Sequence, residues 1–262
     1  MSYKKDLEIA GFSYLGNVSQ SMKLRLSEEH GVLTYGVYLA PANMSGYEVC
    51  PCSRFCREFC LNGSGHNKID LLAGRNRIQS ARIRKTRLFF ENKELFMRIL
   101  IHEIRRAKKQ AAAKGLGFAV RLNCTSDINP EEFVYDGRNI LEIFKDVQFY
   151  DYTKVPKRLV LLNRHTNYDL TFSYDGHNSV VCEDFLKQGG KVAVVFGDLH
   201  KLPKTFLGYN VHDGNAYDMR YLDPNGVIGL HYHPVAGDYK NGKFEMPTTA
   251  FVVGRSDSRA IW

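Results

Sequence analysis

Hydrophobic and polar positions along the chain repeat with two different periods, which predict strands and helices in alternation. Residues 31–41, GVLTYGVYLAP, are β-branched and aromatic and end in proline, as expected of a first strand. Residues 75–114 carry apolar positions at three- and four-residue spacing, as on one helix face, and Gly115 ends the pattern. Further predicted strands cover residues 117–123, 147–153, 168–174, 191–197, 209–214, 226–233 and 250–254, and predicted helices cover 137–146 and 178–190.

This order of elements predicts one α/β domain over residues 1–262. An open doubly wound sheet and a complete or partial β/α barrel would both fit. Several predicted strands end in polar residues, and barrel enzymes place their sites at the carboxyl ends of such strands. We therefore expect a β/α barrel-like enzyme scaffold. The polar residues at these ends are Asn123, Thr125, Ser126, Asp127, Asp151, Thr153, Lys154, Thr171, Ser173, Asp175, Asp213, Asp218 and Arg220.

The composition is that of an ordinary globular protein, with 44% hydrophobic and 24% charged residues in a chain of 262. A chain of this length can bury a core without cross-links. No apolar run in the sequence approaches the roughly 20 residues of a membrane span, and the first residues lack the apolar core of a signal peptide. We expect a protein without membrane association in a reducing cytoplasm, where disulfides are rare.

Positive charge is concentrated in the predicted helical segment, residues 75–114. This segment holds 13 Lys or Arg against three Glu, a balance of +10, whereas the whole chain has a net charge of +8. Such a surface favours a phosphate-rich partner, either a nucleic acid or a nucleotide. The alternative is a solvated pair of basic helices without a partner. The candidate phosphate-binding residues are Arg82, Arg84, Lys85 and Arg87.

Four of the six cysteines lie close together, which raises the question of a metal site. They fall in VCPCSRFCREFCLN, residues 49–62, inside a predicted loop that covers residues 46–66. A reducing compartment favours a metal-binding or catalytic role over a disulfide, and four unrelated buried thiols are the remaining alternative. The four residues are Cys50, Cys52, Cys56 and Cys60.

Helix geometry narrows the set of ligands. If residues 52–60 formed one helix, Cys52 and Cys60 would lie ~12 Å apart along its axis, whereas thiolates on one zinc lie only about 3.8 Å apart. Cys56 and Cys60, four residues apart, would form a natural pair on one helix face. Cys50 lies in the preceding loop, which can fold back to join them. The predicted ligands are therefore Cys50, Cys56 and Cys60, with Cys52 as a candidate fourth.

Three thiolates directly after a first strand predict a [4Fe–4S] cluster with one open iron, which could bind a substrate or a cofactor. Four thiolates would instead form a closed zinc site or an electron-transfer site. The other two cysteines stand apart. Cys182 lies in a predicted helix and is expected to be a core thiol, whereas Cys124 is a buried small residue or an additional ligand.

Six segments carry a family resemblance: GYEVCPCSRFCREFCLNGSG, RIRKTRLFF, RLNCTSDI, FYDYTKV, LTFSYDGHN and VAVVF. Together they resemble the phage proteins called gene product 88-like, over nearly the whole chain from Leu39 to Val253. The resemblance implies a phage origin, and hence the cytoplasm of a host cell, but no particular reaction. It also implies that Cys50, Cys56 and Cys60 are the regular cysteines of the family.

The cysteine loop is also similar to that of radical S-adenosylmethionine enzymes, which combine a β/α barrel with three cysteines after the first strand. Their cysteines are more closely spaced than the intervals of five and three residues found here. This likeness implies S-adenosylmethionine as a further cofactor.

The first functional hypothesis is an iron–sulfur enzyme that acts on a nucleotide or a nucleic acid. Asn123 and Ser126 would bind the substrate, and the predicted catalytic residues are Asp127, Asp151 and Lys154. Asp151 and Lys154 lie on one loop and are predicted to form a proton-transfer pair.

Two other hypotheses involve different chemistry. The second is a non-catalytic protein that binds nucleic acid or a host protein, with zinc or an iron–sulfur cluster as a structural clip and strongly salt-dependent binding. The third is a nuclease in which His231 and His233, two apart on one strand face, hold a metal ion, and Tyr239 is the nucleophile.

Overall fold

Helices and strands alternate along the chain in the computed structural model, which describes residues 2–18, 22–240 and 243–262. The helices are α1 (Tyr3–Ala10), α2 (Met22–Glu29), α3 (Gly65–Leu72), α4 (Arg77–Glu91), α5 (Lys93–Ala113), α6 (Ile140–Ile143) and α7 (Ser179–Lys187). The strands are β1 (Gly16–Asn17), β2 (Val32–Val37), β3 (Gly117–Arg121), β4 (Val134–Tyr135), β5 (Arg138–Asn139), β6 (Gln148–Thr153), β7 (Tyr168–Ser173), β8 (Lys191–Phe196), β9 (Thr205–Phe206), β10 (Tyr209–Asp213), β11 (Gly226–His231), β12 (Tyr239–Lys240), β13 (Lys243–Phe244), β14 (Val252–Val253) and β15 (Ala260–Ile261).

The predicted strands are confirmed as β2, β3, β6, β7, β8, β10, β11 and β14. Strand β8 shows why the apolar pattern was informative: five of its six residues, KVAVVF, are buried, as in a strand covered on both faces. The predicted helix 178–190 is confirmed as α7, and the predicted helix 137–146 is reduced to the single turn of α6. No prediction covered α1, α2 or α3.

The central sheet is mostly parallel, so the chain has a mixed α/β fold. Seven strands, in the order β2-β3-β6-β7-β8-β11-β10, pair in parallel, and the short strands β1, β9 and β15 extend this sheet at its two ends with antiparallel pairing. Among the described residues, no strand pairing joins these two ends, so a closed barrel is not observed. The barrel-like arrangement stays a prediction.

The two faces of the sheet have different surroundings. In parallel strands, residues paired in register point to the same face, and alternate residues point to opposite faces. One face carries Phe149, paired with Tyr168, and packs against the buried side of α5. The other face carries Ser173, paired with Ala193, and borders an open cavity. The sheet therefore separates an apolar helical layer from the cavity.

The predicted helical segment 75–114 is confirmed as two helices, α4 and α5. The break falls at Asn92, whose side chain accepts a hydrogen bond from the Leu95 backbone N–H at 3.2 Å and so caps α5. The predicted apolar face of α5 is buried, including Met97 and Ile104. No helix in the described part of the chain is long and apolar enough to cross a membrane.

A buried carboxyl group on α5 joins the amino-terminal segment to the sheet. The oxygens of Glu103 accept hydrogen bonds from the backbone N–H groups of Leu15 and Gly16 at 2.9 and 2.8 Å. They also accept from the hydroxyls of Tyr3 and Tyr35 at 2.8 and 2.5 Å. These four bonds satisfy an acidic group that would otherwise be costly to bury.

Candidate functional site

A cavity of about 220 Å³ lies at the carboxyl ends of the parallel strands, beneath the cysteine-rich loop. This is the edge where parallel α/β proteins bind their ligands. The residues that line it include Cys50, Cys52, Cys56, Phe59, Cys60, Arg121, Asn123, Cys124, Ser126, Asp127, Tyr152, Lys154, Ser173, Val195, Asp218, Leu230, His231, Tyr232, His233 and Phe251. Eight of the thirteen polar residues predicted at the strand ends line this cavity, whereas Asp151, Thr171, Asp175, Asp213 and Arg220 do not.

The cysteine-rich loop is built from turns, and the helix assumed for residues 52–60 is not formed. The Ser53 N–H donates to the Cys50 carbonyl at 3.0 Å, and the Cys56 N–H donates to the Ser53 carbonyl at 3.2 Å. The predicted loop 46–66 ends early, because a 3-10 turn (Leu61–Gly63) and then α3 begin within it.

Two arginines of α4 hold this loop in place. Arg82 Nη1 donates to Asn62 Oδ1 at 2.6 Å, just after the last cysteine of the loop. Arg87 Nε donates to the Ser45 carbonyl at 3.0 Å, just before its first cysteine. These two predicted phosphate-binding arginines therefore already form hydrogen bonds within the protein.

The other two candidate phosphate ligands on α4 differ in exposure. Lys85 is buried, with its ammonium 4.6 Å from the centre of the Tyr14 ring, and burial lowers its pKa to about 8. It therefore does not lie on the surface that the basic segment was expected to present. Arg84 is exposed to solvent.

All four loop cysteines are free thiols on the cavity wall, but they are not equivalent. The pKa of Cys50 is raised to about 12, mainly by burial and to a smaller extent by Cys60, Asp127 and Cys56. Burial also raises the pKa of Cys60, which feels Cys56 in turn. For Cys52, burial raises the pKa, and the nearest charges are those of Asp127 and other non-cysteine groups.

Cys50 and Cys60 each interact with Cys56, and Cys52 lines the same cavity wall. Within residues 2–18, 22–240 and 243–262, no group of three or more His, Cys, Asp or Glu side chains stands ready to hold a metal ion. Cys124 is buried at the end of β3 and also borders the cavity, whereas Cys182 is buried in a second apolar cluster, as predicted for a core thiol.

The loop after β3 is held by its own polar side chains. Asn123 Oδ1 accepts hydrogen bonds from Ser126 Oγ at 2.8 Å and from the Ile128 N–H at 2.9 Å. These two predicted substrate-binding residues therefore satisfy each other while facing the cavity. Their contacts fix the shape of this part of the cavity wall.

Asp127 is fully engaged by its neighbours. Its carboxylate accepts hydrogen bonds from Thr153 Oγ1 at 2.9 Å and from the Lys154 N–H at 3.0 Å, and it forms an ion pair with Arg158. Arg158 was not anticipated from the sequence. The pairing makes Asp127 a bridge between the loops that follow β3 and β6.

Asp151 lies on the helical face of the sheet and does not reach the cavity. It is 1% exposed and accepts hydrogen bonds from the Asn123 backbone N–H at 2.8 Å and from the Tyr168 hydroxyl. Burial raises its pKa to about 7. The Lys154 side chain borders the cavity instead, and among the described residues no hydrogen bond or ion pair joins Asp151 to Lys154, the predicted proton-transfer pair.

Lys154 has a different partner from the predicted one. Its ammonium donates to Ser173 Oγ at 2.5 Å and lies 5.4 Å from the centre of the Phe251 ring. Strand β7 pairs only with the first part of β8, and β14 pairs with the end of β8, at Val195 and Phe196. This position of β14 brings Phe251 next to Lys154. The contribution of Phe251 could not be read from the sequence, since it depends on this long-range strand exchange.

A buried ion pair lies at the floor of the cavity. Arg121, at the end of β3, pairs with Asp218, and its guanidinium lies 4.8 Å from the centre of the Tyr152 ring. Asp218 reaches this position because the segment after β10 folds across the cavity face of the sheet, with Met219 and Arg220 completely buried. Arg121 is not among the site residues predicted from the sequence.

The three residues of the nuclease hypothesis do not meet at one place. His231 and His233 border the cavity, and His231 Nδ1 lies 2.8 Å from the Asp198 carbonyl oxygen. Tyr239 instead packs beside α3, where its hydroxyl accepts a hydrogen bond from Lys68 Nζ at 3.4 Å. The structure therefore gives this hypothesis no assembled site.

The fold and the cavity together define a mixed α/β protein with a thiol-lined cavity at the carboxyl edge of a mostly parallel sheet. A family model described as Gene product 88 matches residues 13–245, so this chain belongs to the Gene product 88 family. The resemblance predicted from the sequence is thereby confirmed, and it is compatible with a phage protein. No curated protein and no solved structure gives a significant match. The likeness to radical S-adenosylmethionine enzymes receives no support from these comparisons.

Proposed function

We propose that this protein is an iron–sulfur enzyme that holds a [4Fe–4S] cluster on Cys50, Cys56 and Cys60 and acts on a nucleotide or a nucleic acid. The observation that carries the proposal is the grouping of these thiols on the wall of a cavity at the carboxyl edge of parallel strands. Cysteine thiolates are the general ligands of such clusters. Zinc is the alternative metal, with Cys52 as a fourth ligand.

The donor set suits a thiolate-bound centre. Cys50 and Cys60 are neutral thiols in the metal-free protein, because burial raises their pKa, and each would release a proton on binding. Residues 51–59 form turns, so their side chains can converge without breaking a helix. When bound, the cluster would supply an open iron for a polar group of the substrate or cofactor. Binding of S-adenosylmethionine at that iron stays a prediction.

The remaining cavity wall suits the binding and orientation of a substrate. Phe59, Tyr232 and Phe251 provide apolar surface that excludes water, and Lys154 provides a positive charge. The ion pair of Arg121 with Asp218 would fix the floor of a barrel-like scaffold. In this proposal Asp127 and Asp151 support the wall, and neither contacts the substrate.

The test compares Cys60→Ala with Cys182→Ala after anaerobic reconstitution with iron and sulfide. Cys182 is also a buried free thiol, but it lies in a separate apolar cluster and therefore controls for loss of a thiol alone. We expect the wild type and the Cys182 variant to become brown and bind similar amounts of iron and sulfide. The Cys60 variant should lose most of both. Equal uptake by the two variants would refute the ligand set.

A non-catalytic nucleic-acid-binding protein is the second candidate, because several cations of α5 are exposed. Arg105, Arg106 and Lys109 point to solvent on this helix. Cations that neutralise phosphates release counterions from nucleic acid, so affinity should fall steeply with salt. Replacing Arg105 and Arg106 by Gln should reduce the slope of log affinity against log salt by roughly one for each phosphate that is no longer neutralised. An unchanged slope would exclude this face as the binding surface.

A further inference from the structure

Lys154 lies on the cavity wall, and no carboxylate among the described residues neutralises its charge. Two carboxylates border the cavity, and each is already paired: Asp127 with Arg158 and Asp218 with Arg121. Among the residues that the structure describes, no carboxylate forms an ion pair with Lys154. Its ammonium instead meets a hydroxyl, Ser173 Oγ, at 2.5 Å. A partly buried ammonium with only a neutral partner retains unused capacity to bind an anion.

Ser173 is placed to share such an anion. Its hydroxyl oxygen accepts the hydrogen bond from Lys154, so its own proton remains available to donate. Both residues border the same cavity: Lys154 directly follows β6, and Ser173 is the last residue of the adjacent strand β7. An ammonium and a hydroxyl side by side match two oxygens of a carboxylate or phosphate group.

The surface beside this pair is aromatic. The Phe251 ring centre lies 5.4 Å from the Lys154 ammonium, and Phe59 stacks on Phe251 with ring centres 6.1 Å apart. Tyr152 and Tyr232 also border the cavity. Such rings favour a flat, unsaturated ligand body by offset stacking.

We propose that the cavity binds a small organic anion with an aromatic or unsaturated body, whose carboxylate or phosphate group sits on Lys154 and Ser173. The inference deepens the proposed function and rests on it for the role of the cavity, since it names the class of ligand at the same site. It assigns Lys154 to substrate binding rather than to proton transfer with Asp151.

The test uses metal-free, reduced protein, so that its result does not depend on whether a cluster forms. Calorimetry would compare benzoate and phenyl phosphate with benzamide, the neutral counterpart of benzoate. We expect saturable binding of benzoate or phenyl phosphate, with a Kd roughly tenfold or more below that of benzamide. The preference should disappear in Lys154→Met and weaken in Ser173→Ala. Lys157→Met, an exposed lysine three residues further on, should retain it.

Two outcomes would overturn the inference. One is the absence of saturable binding of either anion to wild-type protein whose thermal melt shows it to be folded. The other is an undiminished anion preference in both Lys154→Met and Ser173→Ala. This second outcome is expected if Lys154 serves only to offset the charge of nearby thiolates such as that of Cys60. Lys154 lowers the pKa of Cys60, although burial, the larger effect, raises it. Failure of iron–sulfur reconstitution with intact anion binding would refute only the cluster.

Discussion

The titration of Asp151 offers a quantitative test of the separation between the two faces of the sheet. The carboxyl group is 1% exposed, and burial raises its pKa from 3.8 to about 7. The folded protein therefore binds this proton more tightly than the unfolded chain does. The resulting stability is fully present below pH 3.8 and is lost as the pH rises through the folded pKa of about 7.

The size of the effect follows from the two pKa values. Each unit of difference is worth about 1.4 kcal/mol, and integration from pH 5 to pH 8 gives a loss of about 2.5 kcal/mol in the free energy of unfolding. Asp151→Asn removes this titration but keeps an oxygen to accept from the Asn123 backbone N–H. The quantity to compare is the difference in the free energy of unfolding between the wild type and the variant. This difference should fall by about 2.5 kcal/mol between pH 5 and pH 8.

Urea denaturation of metal-free protein at pH 5, 6, 7 and 8 measures this difference. Asp146→Asn is the control, because Asp146 is exposed and its hydrogen bond from Lys108 lowers its pKa, so that it titrates below this range. Its profile should run parallel to that of the wild type. If Asp151→Asn also runs parallel, the carboxyl group is solvated, and its assignment to the closed helical face is wrong.

Three further results are expected from single changes or conditions. Glu103→Gln places an amide NH₂ group, itself a donor, against hydrogen-bond donors that include the Tyr35 hydroxyl. Urea denaturation should therefore show a free energy of unfolding that is lower by at least about 2 kcal/mol. An unchanged denaturation midpoint would contradict the buried hydrogen-bond network around Glu103. Gly36→Ala adds a methyl group 2.8 Å from Leu24 Cδ1 and 2.9 Å from Cys124 Sγ. This crowding should lower the free energy of unfolding by about 1–3 kcal/mol. A variant as stable as the wild type would mean that Leu24 and Cys124 can move to make room for the methyl group. Zinc binding by the metal-free protein, followed with a chromogenic chelator, should weaken below neutral pH as protons compete for thiols whose pKa burial raises; pH-independent binding would place the metal elsewhere.

Much of the fold could be predicted because its local signals are strong. Strand β8 is a continuous apolar run, and α5 repeats its apolar positions over 21 residues. The helix α3 was missed because it begins at Gly65, after a Gly- and Ser-rich stretch that is typical of a connector. The buried residues of α3 are the polar Asn67 and Asp70, so the helix carries no buried apolar face that a hydrophobic pattern could reveal.

The sequence predicts that cysteines and polar strand ends form the candidate site, but it does not predict which side chains contact each other within it. Asp151 lies within β6, whereas Lys154 follows the last residue of that strand, Thr153, so strand periodicity does not fix how the two side chains lie relative to each other. The contact of Lys154 with Ser173 depends on how the ends of β6 and β7 are aligned, and that of Phe251 on the exchange of β7 for β14 beside β8. Such long-range pairing leaves no local trace in the chain.

The central claim concerns the metal centre formed by Cys50, Cys56 and Cys60. The most direct measurement is the iron, acid-labile sulfide and zinc content of wild-type protein purified without oxygen, with the absorbance spectrum of the same sample. We expect a brown protein with about four irons and four sulfides per chain, as a [4Fe–4S] cluster requires. A colourless protein with one zinc per chain, or with neither metal under strict anaerobiosis, would contradict it.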